Sequence, residues 1–256
     1  MFKELILALN KPDGFVKVTG QAGVGKTTLR RKVLRALHIH SNRYIVIDIP
    51  YPRMNETGFF SAIAHELQIT ETPGPYLKGN VMTKLISLVE SGKRIALIID
   101  EGQSIPETTL DTLLELSRQK HGEKMLVRTI IFAQIEFDEM LNKHRQKMLK
   151  ERVTASHVLS PISHADIPQY VALRLGLSGY NGDQLFSSKA LQLLGNASRG
   201  IPRLINLLAH KAMMVAYAEG ATTVDTLHIK RAVADTAAAE QPVSKSKPGW
   251  LGRIRG

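Results

Sequence analysis

The run Gly20-Gln21-Ala22-Gly23-Val24-Gly25-Lys26-Thr27 fits G-x-x-x-x-G-K-[ST] without a mismatch, and each residue type in it answers a need of phosphate binding. Glycines let backbone N–H groups turn inward around an anion. Lys26 supplies a point charge for the β and γ phosphates, and the Thr27 hydroxyl is an oxygen ligand for magnesium. Thr28 continues the same turn, so the predicted cofactor site is Gly20, Gln21, Ala22, Gly23, Val24, Gly25, Lys26, Thr27 and Thr28, with ATP and Mg2+ as cofactors. The competing reading is a glycine-rich turn without a ligand. The context opposes it, because the run follows a strand pattern and opens a helix pattern.

A second chemical signal is Ile95-Ala96-Leu97-Ile98-Ile99-Asp100-Glu101, an apolar strand ending on two acids. Alone it equally marks a capped helix start; downstream of a phosphate loop it predicts Asp100 as a ligand in the magnesium shell and Glu101 as general base. In this reading the acidic strand lies directly beside the phosphate strand. Gln134 ends the strand Val127 to Ala133, where it either holds the attacking water or is an exposed strand-end amide. Gly200-Ile201-Pro202-Arg203 puts a guanidinium near a helix start; Arg203 then either reaches the γ-phosphate across a domain cleft or is simply solvated. Arg145 and Arg152 are candidates for an arginine finger projected into a neighbouring subunit, with Arg152 preferred over Arg145 and solvent exposure as the alternative for both.

The elements that must position these residues follow from the apolar spacing. Strands are predicted at Gly14 to Thr19, Tyr44 to Ile49, Ile95 to Ile99 and Val127 to Phe132, with helical patterns between them. Among the helices are Phe59 to Leu67 and Val81 to Val89, separated by Pro73-Gly74-Pro75. Ser104 and Glu107 have capping-box spacing and open a helix through Ser117. This alternation predicts an α/β fold with a three-layer parallel sheet. Past Pro161 the pattern is helical only, with Ser163 and Asp166, Ser187 or Ser188, Pro202, and Thr222 or Thr223 as start signals. The predicted divisions are 1–160, a nucleotide-binding core; 161–238, a helical region; and 239–256, a mobile basic tail. That tail carries Lys245, Lys247, Arg253 and Arg255; its Trp250, Leu251 and Ile254 either touch an anionic membrane face or, the commoner case for such tails, are simply disordered.

Composition bounds the rest. In 256 residues, 43% are hydrophobic and 22% charged, enough for a sizeable core in one large domain or one large and one small. No apolar run reaches the roughly 18 residues of a membrane span, which together with the N-terminal pattern predicts a cytoplasmic protein. There is no cysteine, which excludes disulfides and thiolate metal sites. A formal charge of +11 would attract nucleotides, nucleic acid or anionic lipid, without saying which.

Taken together, these residues resemble the AAA+ ATPases of the ExeA/general secretion pathway protein A family, most closely its MshM-like pilus-biogenesis members. The likeness is carried by Gly14-Phe15-Val16-Lys17-Val18-Thr19-Gly20, by Ile99-Asp100-Glu101-Gly102-Gln103 against the family's D-E-A-Q, and by Ile131-Phe132-Ala133-Gln134-Ile135-Glu136-Phe137 against L-F-G-Q-P-E-L. Gly200-Ile201-Pro202-Arg203-Leu204-Ile205-Asn206 and Ala209-His210-Lys211-Ala212 extend it, so that it covers about Phe2 to Thr236. The resemblance implies a five-stranded AAA+ core with a C-terminal all-helical lid, and a homo-oligomeric ring, hexameric or similar. It further implies Mg-dependent ATP hydrolysis in the assembly of a type IV pilus or secretion apparatus, with partners at the inner membrane. It also implies an aromatic-rich F-G-x-x-x-x-P-F segment beside the adenine, ahead of the first matching helix; the present sequence starts almost inside that helix and does not supply those contacts. The peptidoglycan-binding domain of some longer relatives has no counterpart here. Two other readings stand beside the assembly ATPase. One is a DNA-bound AAA+ regulator of the transposition type, motivated by the positive charge; the other is a nucleotide-dependent scaffold with little turnover.

Overall fold

The computed structural model describes residues 1–11, 14–70, 74–142 and 147–237. Arg145, Pro73 and the predicted tail with its membrane-touching residues lie outside the described residues. The described chain divides into two compact units, one ending at Ser160 and the other beginning at Pro161.

The first unit is built on a five-stranded parallel sheet: β1 (Phe15–Thr19), β2 (Tyr44–Ile49), β3 (Arg94–Ile99), β4 (Val127–Ala133) and β5 (Ala155–Val158), in the order β2-β3-β4-β1-β5. Ile95 to Ile99 and all of β4 are buried, as continuous apolar strands are when helices cover both faces. The two-residue period of the strand sorts their side chains between two cores. Ile95, Leu97 and Ile99 join Phe59 and Ile63 of α3 (Glu56–Glu66), Val81 and Leu85 of α4 (Leu77–Glu90), and Leu110 and Leu113 of α5 (Glu107–Arg118). Ala96 and Ile98 face the other way, with Leu5 of α1 (Phe2–Ala8) and Val33 and Leu37 of α2 (Lys26–Ile39). Each fully buried Leu, Ile or Phe contributes about 1.5–3 kcal/mol, so these two layers supply the main stabilisation of the sheet. The chain then passes through α6 (Glu136–Asn142) and α7 (Lys147–Arg152) to β5.

Two expectations about this unit need correction. The acidic strand β3 is not adjacent to the phosphate strand β1; β4 lies between them. Ser104 does not cap α5. It closes a 3-10 turn, Gly102–Ser104, and its hydroxyl donates to the Glu101 carbonyl at 2.7 Å. Pro106, with φ fixed near −60°, holds Ile105 extended and delays the helix to Glu107. A short antiparallel hairpin, Lys120–His121 with Lys124–Met125, was not anticipated; Gly122, at φ +59°, makes its turn.

The second unit is helical: α8 (Ile167–Leu177), α9 (Ser188–Ser198), α10 (Pro202–Ala218) and α11 (Thr226–Ala234). Its own core includes Ile167, Phe186, Leu194, Ile205, Leu208 and Ile229. Ser187 caps α9 by accepting from the Ala190 N–H, and Pro202 starts α10 where a missing N–H costs nothing. Ser163 donates to the Asp166 carboxylate across a 3-10 turn rather than capping α8. For α11 the cap is Asp225 in a box with His228, beyond the two threonines.

Candidate functional site

The phosphate loop runs from the end of β1 into α2. A Cβ on Gly20 would stand 2.6 Å from the Leu159 carbonyl, so the backbone just past β5 leaves room for hydrogen only. Gly25, at φ +110°, is the N-cap of α2 and has no side chain to occupy the free N–H groups of the first turn. That turn contains no acid, and it carries Lys26, Thr27 and Thr28. Free N–H groups, the positive end of the helix and a lysine together form a site for an anion. Gln21, Ala22, Thr27 and Thr28 are exposed at its rim, while Val24 is buried beneath and Gly23 turns the loop at φ +80°.

Lys26 is 6% exposed, and its ammonium donates to the carbonyls of Gly20 at 2.7 Å and Gln21 at 3.0 Å. Burial pushes its pKa below the ordinary value, against the opposing pull of Glu101, Asp100 and Glu136. The charges of three carboxylates, two just past β3 and one at the start of α6, thus act on this ammonium.

Asp100 is 4% exposed and held from three sides. One oxygen accepts the Thr27 hydroxyl at 3.1 Å and stands 3.9 Å from Arg30; the other accepts the Glu101 N–H at 3.0 Å. The Thr27–Asp100 contact shows that the acid reaches the phosphate loop although β4 intervenes in the sheet. Two oxygen donors side by side, one hydroxyl and one carboxylate, fit a hard cation such as magnesium, which takes one or two protein ligands and completes its shell with phosphate and water. Arg30, one helical turn beyond Lys26, grips Asp48 at the end of β2 in a bidentate pair. Burial raises the Asp48 pKa in spite of Arg30.

Glu101 adopts φ +50°, ψ +41°, a left-handed conformation uncommon for a residue with a side chain. Its carbonyl accepts from the N–H and hydroxyl of Ser104, and its carboxylate accepts the Gln103 amide at 2.5 Å. The Gln103 carbonyl oxygen in turn accepts the Gln134 N–H at 2.9 Å. Gln103 therefore bridges the ends of β3 and β4. Gln134 stands immediately past β4, half-buried, with its backbone tied into this chain of bonds. Behind it Asp138 of α6 forms an ion pair with Lys17 of β1.

The structure brings Lys26, Thr27, Asp100, Glu101 and Gln134 together at the C-terminal end of one sheet. Arg203 belongs to the second unit, exposed in the first turn of α10. Arg152, the last residue of α7, is half-buried. Its guanidinium donates to the Ser117 carbonyl at 3.0 and 3.3 Å and contacts the Met125 sulfur. Two residues of the network, Arg30 and Asp48, did not stand out in the sequence, and Gln103 stood out only as part of the family likeness, without a role of its own. An acid inside the apolar run Tyr44–Ile49 was the available signal for Asp48; Arg30 looked like any exposed helix arginine.

A five-stranded parallel sheet in this order, with a phosphate loop after β1 and an acid pair after β3, defines a P-loop protein with the AAA+ ATPase fold. Residues 9–141 match the AAA domain family, and the chain belongs to it. Among characterised relatives it is similar to General secretion pathway protein A of Aeromonas hydrophila, at 34% identity over 215 residues. That alignment covers 83% of this chain and 39% of the relative, so the chain spans well under half of that protein's length. Among solved structures it resembles Cdc6p of Pyrobaculum aerophilum, with TM-score 0.66 and 17% identity, covering 90% of this chain and 65% of the other. It also resembles the ORC2 protein of Aeropyrum pernix in its ADPNP-ADP complexes (TM-score 0.62, 18% identity, 91% and 66% covered). The RuvB Holliday junction branch migration motor of Thermotoga maritima is similar at TM-score 0.60 and 19% identity, with 91% and 67% covered. These likenesses show the fold. No helix among the described residues is long and apolar enough to cross a membrane.

Proposed function

We propose that this chain is a magnesium-dependent ATPase that supports assembly of a type IV pilus or secretion apparatus. The observation that carries the enzymatic half is the 3.1 Å contact between Thr27 and Asp100, with Glu101 next in the chain and held by Gln103. The α2 N-terminus and Lys26 bind the β and γ phosphates. Thr27 and Asp100 would hold magnesium, which would supply positive charge to neutralise what builds up during transfer. Glu101 takes the proton of the attacking water, and Gln134 orients that water. Arg203 is proposed to meet the γ-phosphate from the helical subdomain. The apparatus half rests on the likeness to General secretion pathway protein A. Ring-forming homo-oligomers and a cytoplasmic location, at the face of the inner membrane, belong to the same proposal.

Glu101→Gln tests the enzymatic half: ATP hydrolysis should fall by about 100-fold or more, the scale of a lost general base, while ATP binding persists. Undiminished turnover in that variant removes Glu101 from its role. For the apparatus half, cells carrying Lys26→Ala should lose assembled pili or secreted protein; normal assembly in such cells refutes it. The +11 charge is what favours the second reading, a DNA-bound regulator. That reading requires a salt-sensitive DNA complex that stimulates hydrolysis.

A further inference from the structure

The N-terminal ends of β3 and β4 gather a second set of cations, at the end of the sheet opposite the phosphate loop. Arg94 opens β3, Lys93 precedes it, Arg128 is the second residue of β4, and Lys124 lies on the short hairpin. With Val89, Gly92 and Met125 they line a recess of about 240 Å³ that, among the described residues, has no acidic side chain in its lining.

Arg128 is 8% exposed. Its Nε donates to the Lys11 carbonyl at 3.2 Å; among the described residues its two terminal nitrogens have no hydrogen-bond partner and no carboxylate pairs with it. Burial and the charge of Arg94 both press its pKa downward. A guanidinium taken out of water and set beside another is costly unless an anion compensates it. The neighbouring anchors are neutral. Arg94 donates to the Asn10 side-chain oxygen at 2.6 Å, which also accepts the Tyr44 hydroxyl, and Lys93 donates to the Asn42 carbonyl at 2.7 Å. Of the acids close in sequence, Glu90 is turned to His121 at 3.1 Å, and Glu123, next to Lys124, is exposed in the hairpin turn.

The C-terminus of α4 points a negative pole this way. Its last carbonyls, on Ser87, Leu88 and Val89, already accept the N–H groups of Ser91, Lys93 and Gly92. A helix end amounts to about half a charge, against four formal cations, so the recess stays positive. Ordinary small-molecule pockets measure about 300–1,000 Å³. This one is smaller, which favours a compact anion over a nucleotide, and the forked guanidinium suits a tetrahedral oxyanion.

We propose that this recess is an oxyanion site, distinct from the nucleotide site, that takes free inorganic phosphate or diphosphate. Calorimetric titration of the full chain with sodium pyrophosphate at constant ionic strength tests it. Lys26→Ala silences the phosphate loop, and that protein should still bind one pyrophosphate per chain. Adding Arg94→Gln and Lys124→Gln, both at accessible positions of the recess, should weaken binding by roughly tenfold or more, as the loss of charge-assisted bonds predicts. In the Lys26-containing background the same two changes should leave ATP affinity unaltered. Absence of pyrophosphate binding in Lys26→Ala overturns the proposal, as does binding that Arg94→Gln with Lys124→Gln leaves untouched.

Discussion

Lys26 shows how function and stability oppose each other at a single residue. Its ammonium is buried among carbonyls, and its pKa lies below the ordinary value of 10.5, so the charged form is held at a cost that a bound phosphate would offset. The sign follows. The folded state releases this proton more readily than the unfolded chain, so stability from this group is lost at neutral pH and regained as pH rises toward 10.5. Lys26→Met, of similar length but uncharged, should therefore abolish ATP binding while raising the melting temperature of the nucleotide-free protein. The advantage should shrink as pH rises; a variant less stable than wild type at neutral pH, measured by calorimetry, contradicts this account. Gln103 makes the complementary case. Its two bonds orient Glu101 without contacting the phosphate loop, so Gln103→Leu should lower kcat by roughly tenfold and leave KM for ATP nearly unchanged, as a loss of positioning does. An unchanged kcat shows that Glu101 needs no such support. Lys26, Thr27 and Asp100 were legible because their chemistry is local to a motif. Arg30 and Asp48 were not, because each acquires its role from a partner on another element, and Gln103 showed only as a motif residue, its bond to Gln134 leaving no mark on the spacing.

At the scale of elements, what could be read was periodicity, and what could not was neighbourhood. The buried runs Ile95–Ile99 and Val127–Ala133 announced central strands, and glycines followed by Lys26 announced the strand-to-helix junction. Sheet order leaves no mark on spacing, so the insertion of β4 between β3 and β1 went unforeseen. The start of α5 was misread because capping-box spacing competes with Pro106, whose fixed φ decides the matter. The turn between β3 and α5 is also set by packing against the neighbouring strand. A Cβ on Gly102 would meet the Ile131 side chain at 2.5 Å and the Ala133 Cβ at 3.0 Å. Gly102→Ala should cost about 1–3 kcal/mol, the range for overpacking a filled core, and should slow hydrolysis by shifting Glu101. Urea denaturation and turnover measured together check it; full stability with full activity would mean that β4 yields where the structure shows it filled.

For the whole molecule, each compact unit has a core of its own: Ile162 to Val233 supply one cluster, and the two layers of the sheet come from residues before Ser160. A chain built this way is expected to unfold in two calorimetric transitions rather than one. A ligand stabilises whatever it binds, by about 2.7 kcal/mol at a hundred times its Kd. Because Lys26, Thr27 and Asp100 all belong to the first unit, ATP with magnesium must raise the transition of that unit. The second transition discriminates. If Arg203 engages the γ-phosphate, ATP raises both transitions, ADP raises chiefly the first, and Arg203→Ala returns the second to its nucleotide-free position while leaving the first raised. If ATP moves only the first transition in the wild-type protein, the helical subdomain does not read the nucleotide through Arg203, and that part of the proposed site is withdrawn while the phosphate loop stands.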